Sequence, residues 1–320
     1  MALLEVKNLK THFILRRGIV KAVDDVSFAV DRGESLGIVG ESGCGKTVTS
    51  LSILRLVPKP GINVGGQILF DGVDLLTLSE KEMRRYRGKH ISEILQDPLT
   101  ALNPVFTIGN QVSEGIILHE HTKGKALRER VLHLMRGLGV PAAETRVHQY
   151  PHQFSGGMRQ RVVGAIAIAC RPELIIADEP TTSLDVTIQM QYLNLLRDIQ
   201  REENLALIFI THDLGIVAKM CHRVAIMYAG KIVERATVKE AWDNAMHPYT
   251  KALLGSLPKI EEKVDRLYSI EGQPPSLLNP PDGCLFQARC AAKFDKCTSP
   301  EFPPEIKVSD THMVRCWRYV

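Results

Sequence analysis

The stretch GESGCGKT (40–47) sets glycines and a lysine–threonine pair at the spacing G-x-x-x-x-G-K-[ST]. Glycines at Gly40, Gly43 and Gly45 let the backbone fold tightly, so that the amides of Glu41, Ser42, Cys44 and their neighbours can converge on one point. Such a nest suits an anion with many oxygens, the phosphate tail of a nucleotide. The stretch follows the apolar run SLGIVG and leads into the helical pattern TVTSLSILRLV, so a helix N-terminus adds partial positive charge. Lys46 is placed to reach the β- and γ-phosphates, and the Thr47 hydroxyl to ligate Mg²⁺. LIIADEP (174–180) supplies the complementary half. Its apolar residues form a buried strand that delivers Asp178, a carboxylate able to hold Mg²⁺ through water. Glu179, next in line, can polarise an attacking water as a general base. Together the two stretches predict ATP and Mg²⁺ as cofactors.

A third stretch, FSGGMRQR (154–161), opens a predicted helix with Ser155, Gly156 and Gly157. It provides a second helix N-terminus able to receive an anion.

The last forty residues pose a separate question. Cys284, Cys290, Cys297 and Cys316 are spaced C-x5-C-x6-C-x18-C. The segments GQPPSLLNPPDGC and SPEFPPE bring seven of the seventeen prolines, which remove amide donors and fix φ. A regular helix or sheet is not expected there, and the apolar content is thin, so the segment needs a staple. Four thiolates in such a segment suggest a metal centre. Zinc and a [4Fe–4S] cluster both accept four cysteines, and the tight C-x2–4-C pairs usual for zinc are absent. Trp317, Arg315, Arg318 and Tyr319 stand around Cys316 to shield such a centre and offset its charge. Of the other three cysteines, Cys44 lies in the phosphate loop and Cys170 ends an apolar helix. Cys221 beside His222 resembles a catalytic pair but lacks a third partner.

The elements that must position these groups follow from the pattern of apolar residues. SLGIVG (35–40), LIIAD (174–178), ALIFIT (206–211) and VAIMYAG (224–230) are continuous apolar runs, the mark of buried parallel strands. VKNLKTHF, KAVDDVSFAV and GGQILFDGVDL alternate, which predicts an antiparallel β part at the start. Between 98 and 165 no comparable strand run occurs. KGKALRERVLHLMRGLG and GMRQRVVGAIAIAC have helical spacing, as has EKEMRRYRG before them. HPYTKALLGSLP predicts a short helix ended by Pro258. The expected fold class is therefore α/β: a P-loop nucleotide-binding core at 1–97 and 171–235, carrying the antiparallel β subdomain. A helical subdomain at 98–170 and a small irregular C-terminal extension at 236–320 complete it.

Composition is ordinary for a globular chain, with 44% hydrophobic and 24% charged residues in 320. A net charge of +4 makes no case for nucleic acid. The apolar runs fall far short of the ~20 residues of a membrane span. MALLEVKNLKTHF lacks the features of a signal peptide, so a cytosolic location is expected. Seven cysteines there fit reduced thiols or metal ligands better than disulfides.

In order along the chain, GESGCGKT, ILQDP, FSGGMRQR, LIIADEP, SLD (183–185) and ITHD together resemble the ATP-binding cassette (ABC) ATPases. The resemblance implies that Gln96 contacts Mg²⁺ and water, that Asp185 belongs to the D-loop of the nucleotide site, and that His212 touches the γ-phosphate. It implies that Ser155, Gly156 and Gly157 face the ATP held by a second subunit, so that two ATPs are sandwiched head to tail. Phe13 is the candidate for stacking on adenine, with a core strand residue as the alternative reading.

The resemblance covers essentially the whole chain and is most specific to the dipeptide/oligopeptide importer ATPases. It rests on ILQDPLTALNP, YPHQFSGGMRQRV, ADEPTTSLDVTIQ, HPYTKALLGSLP and EGQPPSLLNPPDGC. Phe154 and Met158 replace the Leu and Gln of many cassettes, and Thr47 replaces Ser. The implied partners are two transmembrane permease subunits and a second, homologous ATPase subunit or another copy of this chain. An extracytoplasmic peptide-binding protein is implied indirectly. The implied place is peripheral, on the cytoplasmic side of the inner membrane, with residues near 96–103 in the docking groove. Relatives with such a tail carry a [4Fe–4S] cluster, which the resemblance therefore implies for Cys284, Cys290, Cys297 and Cys316. Importers of nickel or other small solutes, and soluble cassette proteins, are the alternative functions.

Overall fold

The computed structural model describes residues 2–182, 184–257 and 269–320. Ser183 of the SLD triplet and Pro258, expected to end a helix, lie outside the described residues.

In chain order the first elements are β1 (Ala2–Leu15), β2 (Gly18–Asp31), β3 (Ser35–Val39), α1 (Lys46–Ile53), β4 (Gly61–Phe70) and β5 (Val73–Asp74). Then come α2 (Glu80–Tyr86), β6 (Ile91–Ile94), α3 (Pro98–Ala101), α4 (Ile108–Glu120), α5 (Gly124–Gly137), α6 (Ala143–Arg146) and α7 (Gly156–Ile168). β7 (Leu174–Asp178), α8 (Val186–Glu202), β8 (Ala206–Thr211), α9 (Leu214–Met220), β9 (Arg223–Tyr228) and β10 (Lys231–Thr237) follow. The chain closes with α10 (Val238–Asp243), α11 (Pro248–Gly255), β11 (Ile306–Lys307) and β12 (Met313–Val314).

The described chain divides into two compact units: 1–3, 30–35 and 74–210 form one, and 4–29, 36–73 and 211–320 the other.

In the first unit β7 runs parallel to β6 and to β8, pairing Leu174 with Ile91 and with Ala206. Every residue of β7 and β8 is buried, which is why both read as unbroken apolar runs. Residues 98–168 hold five α-helices, one 3-10 turn at Pro151–Gln153 and no strand. Their starts are written in the sequence: Asp97, Thr107 and Ser155 each accept a backbone amide of the turn they precede.

In the second unit β1 and β4 pair antiparallel from Leu4 opposite Phe70 to Phe13 opposite Gly61. β3 runs parallel to β9, with Val39 opposite Ile226. β10 lies antiparallel to β9, and the short β12 and β11 continue outward from it. The tail thus adds two two-residue strands to this sheet and is otherwise irregular, as its prolines require. Its apolar residues are not cored separately. Cys284, Leu285, Phe286, Cys297 and Trp317 share one buried cluster with Val39 of β3, Ile226 and Tyr228 of β9, Val217 of α9 and Tyr249 of α11. The expected thinly cored module borrows its core from the strands beside it.

Candidate nucleotide site and a cysteine-lined cavity

The phosphate loop leaves β3 and enters α1, so backbone sterics dictate its glycines. A Cβ on Gly40 would lie 2.1 Å from the Met227 carbonyl oxygen, and one on Gly45 2.2 Å from that of Ala22. Gly45 also holds φ at 107° as the residue before the helix. Lys46 is buried and donates from Nζ to the carbonyl oxygens of Gly40 (2.7 Å) and Glu41 (3.1 Å). Its ammonium therefore lies across the loop, within reach of a phosphate seated there. Thr47 and Ser42 are exposed. Burial pushes the Cys44 thiol pKa up, against the nearby Lys46 ammonium. Cys44 is a neutral filler of the loop, not a nucleophile.

In the other unit β7 delivers Asp178, which is 3% exposed. Glu179 follows with φ 44°, a left-handed conformation uncommon for a residue with a Cβ. Its amide donates to the Ile210 carbonyl at 2.9 Å, which fixes the turn. Two donors hold its carboxylate at 3.0 Å each: the Gln96 side-chain amide and the Thr182 hydroxyl. The chain after β6 carries Gln96, so two strand exits 83 residues apart in sequence meet at one carboxylate. A carboxylate oriented by two neutral donors remains an acceptor and can order a water. Thr182 was not among the residues singled out from the sequence, although its place in EPTT beside Glu179 was a signal.

Ser155 caps α7, and Asp185 caps α8 by accepting the Ile188 amide at 3.0 Å. Gly157 packs closely, since a Cβ there would meet the Ile188 side chain at 2.9 Å. Gln96, Ser155, Gly156, Gly157, Asp178, Glu179 and Asp185 all belong to the first unit. Phe13, residues 40–47 and His212 belong to the second. His212 is exposed, between β8 and Asp213, whose carboxylate accepts the first amides of α9. The half-buried Phe13 ring packs against Gly61, where a Cβ would approach it to 2.8 Å.

A family model described as "ABC transporter" matches residues 23–182, half of the chain. This chain belongs to the ABC transporter family. A second model, "Oligopeptide/dipeptide transporter, C-terminal region", matches 233–297. The oligopeptide transport ATP-binding protein OppD of Bacillus subtilis is 51% identical, covering 98% of this chain and 88% of that protein. The dipeptide transport ATP-binding protein DppD of Escherichia coli is 45% identical, covering 99% and 96%. The ATP-binding cassette MJ0796, solved as a dimer in a post-hydrolysis state with ADP and Pi, superimposes with a TM-score of 0.67. It is 25% identical and covers 73% of this chain and 98% of that one. The ABC ATPase fold with mixed α/β sheets, and ATP hydrolysis as the activity, follow from this membership. No helix among the described residues is long and apolar enough to cross a membrane.

The ABC chain's C-terminal cysteines all line one small cavity, with His247, Phe286 and Trp317 among its walls. Burial raises the pKa of the Cys284 thiol to about 12, with the neighbouring cysteines adding to the shift. Backbone amides of Phe286, Ala292 and Arg318 point at the sulfurs of Cys284, Cys290 and Cys316. Among the described residues, however, no three Cys, His, Asp or Glu side chains are grouped so as to hold a metal ion. The cysteines are neighbours around a cavity, not a formed metal centre. Cys221 stands apart: burial pushes its thiol well above the usual value, which removes it as a nucleophile.

Proposed function

We propose that this chain is the ATP-hydrolysing subunit of an importer of dipeptides or oligopeptides. The observation that carries the reading is the Glu179 carboxylate held at the exit of β7 by Gln96 and Thr182, in a chain whose residues 233–297 match the peptide transporter C-terminal region. Residues 40–47 cradle the phosphates, with Lys46 on the β- and γ-phosphates. Thr47, Asp178 and Gln96 are the residues that would hold Mg²⁺, which would neutralise charge on the phosphates. Glu179 is the general base and His212 the γ-phosphate sensor. Ser155, Gly156, Gly157 and Asp185 serve the ATP of a second ATPase subunit, and Phe13 stacks on adenine. Residues 1–97 and 171–235 act as the nucleotide core, 98–170 as the helical arm and 236–320 as the extension.

The partners are two permease subunits at the cytoplasmic face of the membrane, fed by an extracytoplasmic peptide-binding protein. Leu99, Val105, Phe106 and Leu118 support this docking, being large apolar side chains left exposed in and beside the helical arm. For the tail we propose that Cys284, Cys290, Cys297 and Cys316 hold a [4Fe–4S] cluster. The chemistry of the donor set supports it: four sulfurs around one cavity, with backbone amides aimed at three of them.

The test is Glu179→Gln in the assembled transporter. Removal of a general base should cut steady-state ATP hydrolysis by about 100-fold or more. The variant should keep ATP bound and hold two ATPase subunits together. Hydrolysis at the wild-type rate would refute Glu179 as the base.

A further inference from the structure

Arg289 lies in the tail, in the short turn between Cys284 and Cys290, and its side chain is 4% exposed. It grips the carboxylate of Glu41, the second residue of the phosphate loop, with two parallel bonds of 2.6 and 2.9 Å. Its remaining donors reach the Tyr228 hydroxyl (3.3 Å) and the carbonyl oxygens of Glu271 (3.0 Å) and Ile270 (3.3 Å). Such a planar fork, filled on every side, fixes the position of what it holds.

Glu41 is held at two further points. Its amide donates to the hydroxyl of the buried Tyr249 at 2.9 Å, and its carbonyl accepts Lys46 Nζ. The Tyr249 ring lies 4.6 Å from that of Tyr228 and 5.4 Å from that of Phe286, between centroids. The first turn of the phosphate loop is therefore anchored to the tail by a charge pair and by a wall of packed aromatic rings. The carbonyl at the anchored residue is also one of the two that hold the Lys46 ammonium.

We propose that Arg289 is a positioning residue of the phosphate loop: by clamping Glu41 it sets the turn that presents Lys46, so the C-terminal segment governs nucleotide affinity. The proposal rests on the reading of residues 40–47 as the phosphate cradle. Removing the clamp weakens binding of both ATP and ADP and leaves the chemical step, which belongs to Glu179, largely intact. The loss appears in Kd and KM and not in kcat.

The test measures binding of a fluorescent ATP analogue with Mg²⁺ to the full chain, and KM and kcat in the assembled transporter. Arg289→Gln and Glu41→Gln should each raise Kd by about ten-fold, within the usual range of coupling between sites. The double variant should be no weaker than either single one. Arg289→Lys, which keeps the charge and loses the fork, should fall between. Glu41→Gln keeps the test alive if Arg289→Gln does not fold.

Arg235→Gln is the control for general loosening, since the Arg235–Glu305 pair also ties the tail to the sheet but does not touch the loop. Unchanged Kd in both single variants, strictly additive losses, or an equal rise of Kd in Arg235→Gln would overturn the proposal. Lys46→Ala separates the two readings. If it abolishes binding while Arg289→Gln and Glu41→Gln do not weaken it, the cradle stands and the clamp falls. If Lys46→Ala binds normally, the cradle reading itself fails.

Discussion

The phosphate loop at 40–47 and the tail loop at 284–297 sit in the same compact unit and are built on opposite physical grounds. The phosphate loop is a backbone device. Its shape is set by what cannot be there, since a Cβ on Gly40 or Gly45 would run into the carbonyl of Met227 or Ala22. The tail loop is a side-chain device, in which Cys284, Phe286 and Cys297 fill a shared core and Arg289 grips Glu41. A backbone device fails abruptly when one atom is added, and a side-chain device fails by degrees as partners are removed. On the reading proposed above, the backbone loop would shape an anion site and the side-chain loop would hold that site in place from behind.

The strongest way to break this comparison is Gly45→Ala. The added methyl group needs a φ that alanine avoids and space that the Ala22 carbonyl occupies, so the loop must move. A displacement of about 1 Å at a positioning element can cost about 100-fold in rate. ATPase activity should fall by at least that order, and MgATP should no longer raise the thermal midpoint. Near-normal turnover in Gly45→Ala would mean that the loop tolerates side chains and that the contrast is false.

Cys290→Ser probes the other side and should be milder. The purified full chain should contain iron and acid-labile sulfide, and the variant should lose both. The thermal midpoint should fall by about 5 °C or more, because a bound metal group contributes folding free energy. The loss should spread beyond the tail, since Cys284 and Cys297 share a core with β3 and β9. Full iron and sulfide in the variant would remove Cys290 from the ligand set, and their absence from the native chain would remove the cluster.

The same contrast explains what could be read from the sequence. The loop at 40–47 was legible because backbone geometry admits few residue types at Gly40 and Gly45. Ser155 was legible because a helix start needs a side-chain acceptor, and it caps α7; Asp185 was legible only through the resemblance of SLD to the cassette family, and its capping of α8 was not. β3, β7, β8 and β9 announced themselves as buried runs. β6 did not: ISEI is four residues long with Glu93 inside it, too short and polar for its period to stand out. The Arg289–Glu41 clamp was also invisible, because the two residues are 248 positions apart and no periodicity links them. Nor did the prolines of the tail reveal that its aromatic residues would share the core under β9. Such contacts come from three-dimensional packing, and the sequence holds them only as unassigned polar or aromatic residues.

The smallest expected effect concerns the tail's second attachment, and it sharpens the comparison by showing graded failure. Glu240 closes a capping box at the start of α10 with Thr237 and also accepts the hydroxyls of Ser309 and Thr311. Partial burial pushes its pKa up, but the hydrogen bonds from Thr237, Thr311 and Ser309 outweigh this and hold it at about 2. A carboxyl whose folded pKa is depressed adds stability that is complete above its ordinary value of 4.5 and lost as pH falls toward 2. Glu240→Gln should therefore lower the unfolding free energy measured by urea titration at pH 7, by on the order of 1 kcal/mol once solvent screening is allowed for. The gap between variant and native chain should narrow as pH drops from about 4.5. A gap that stays constant down to pH 3 would mean that the hydroxyl contacts do not depend on the charge, and that this end of the tail is fastened by packing alone.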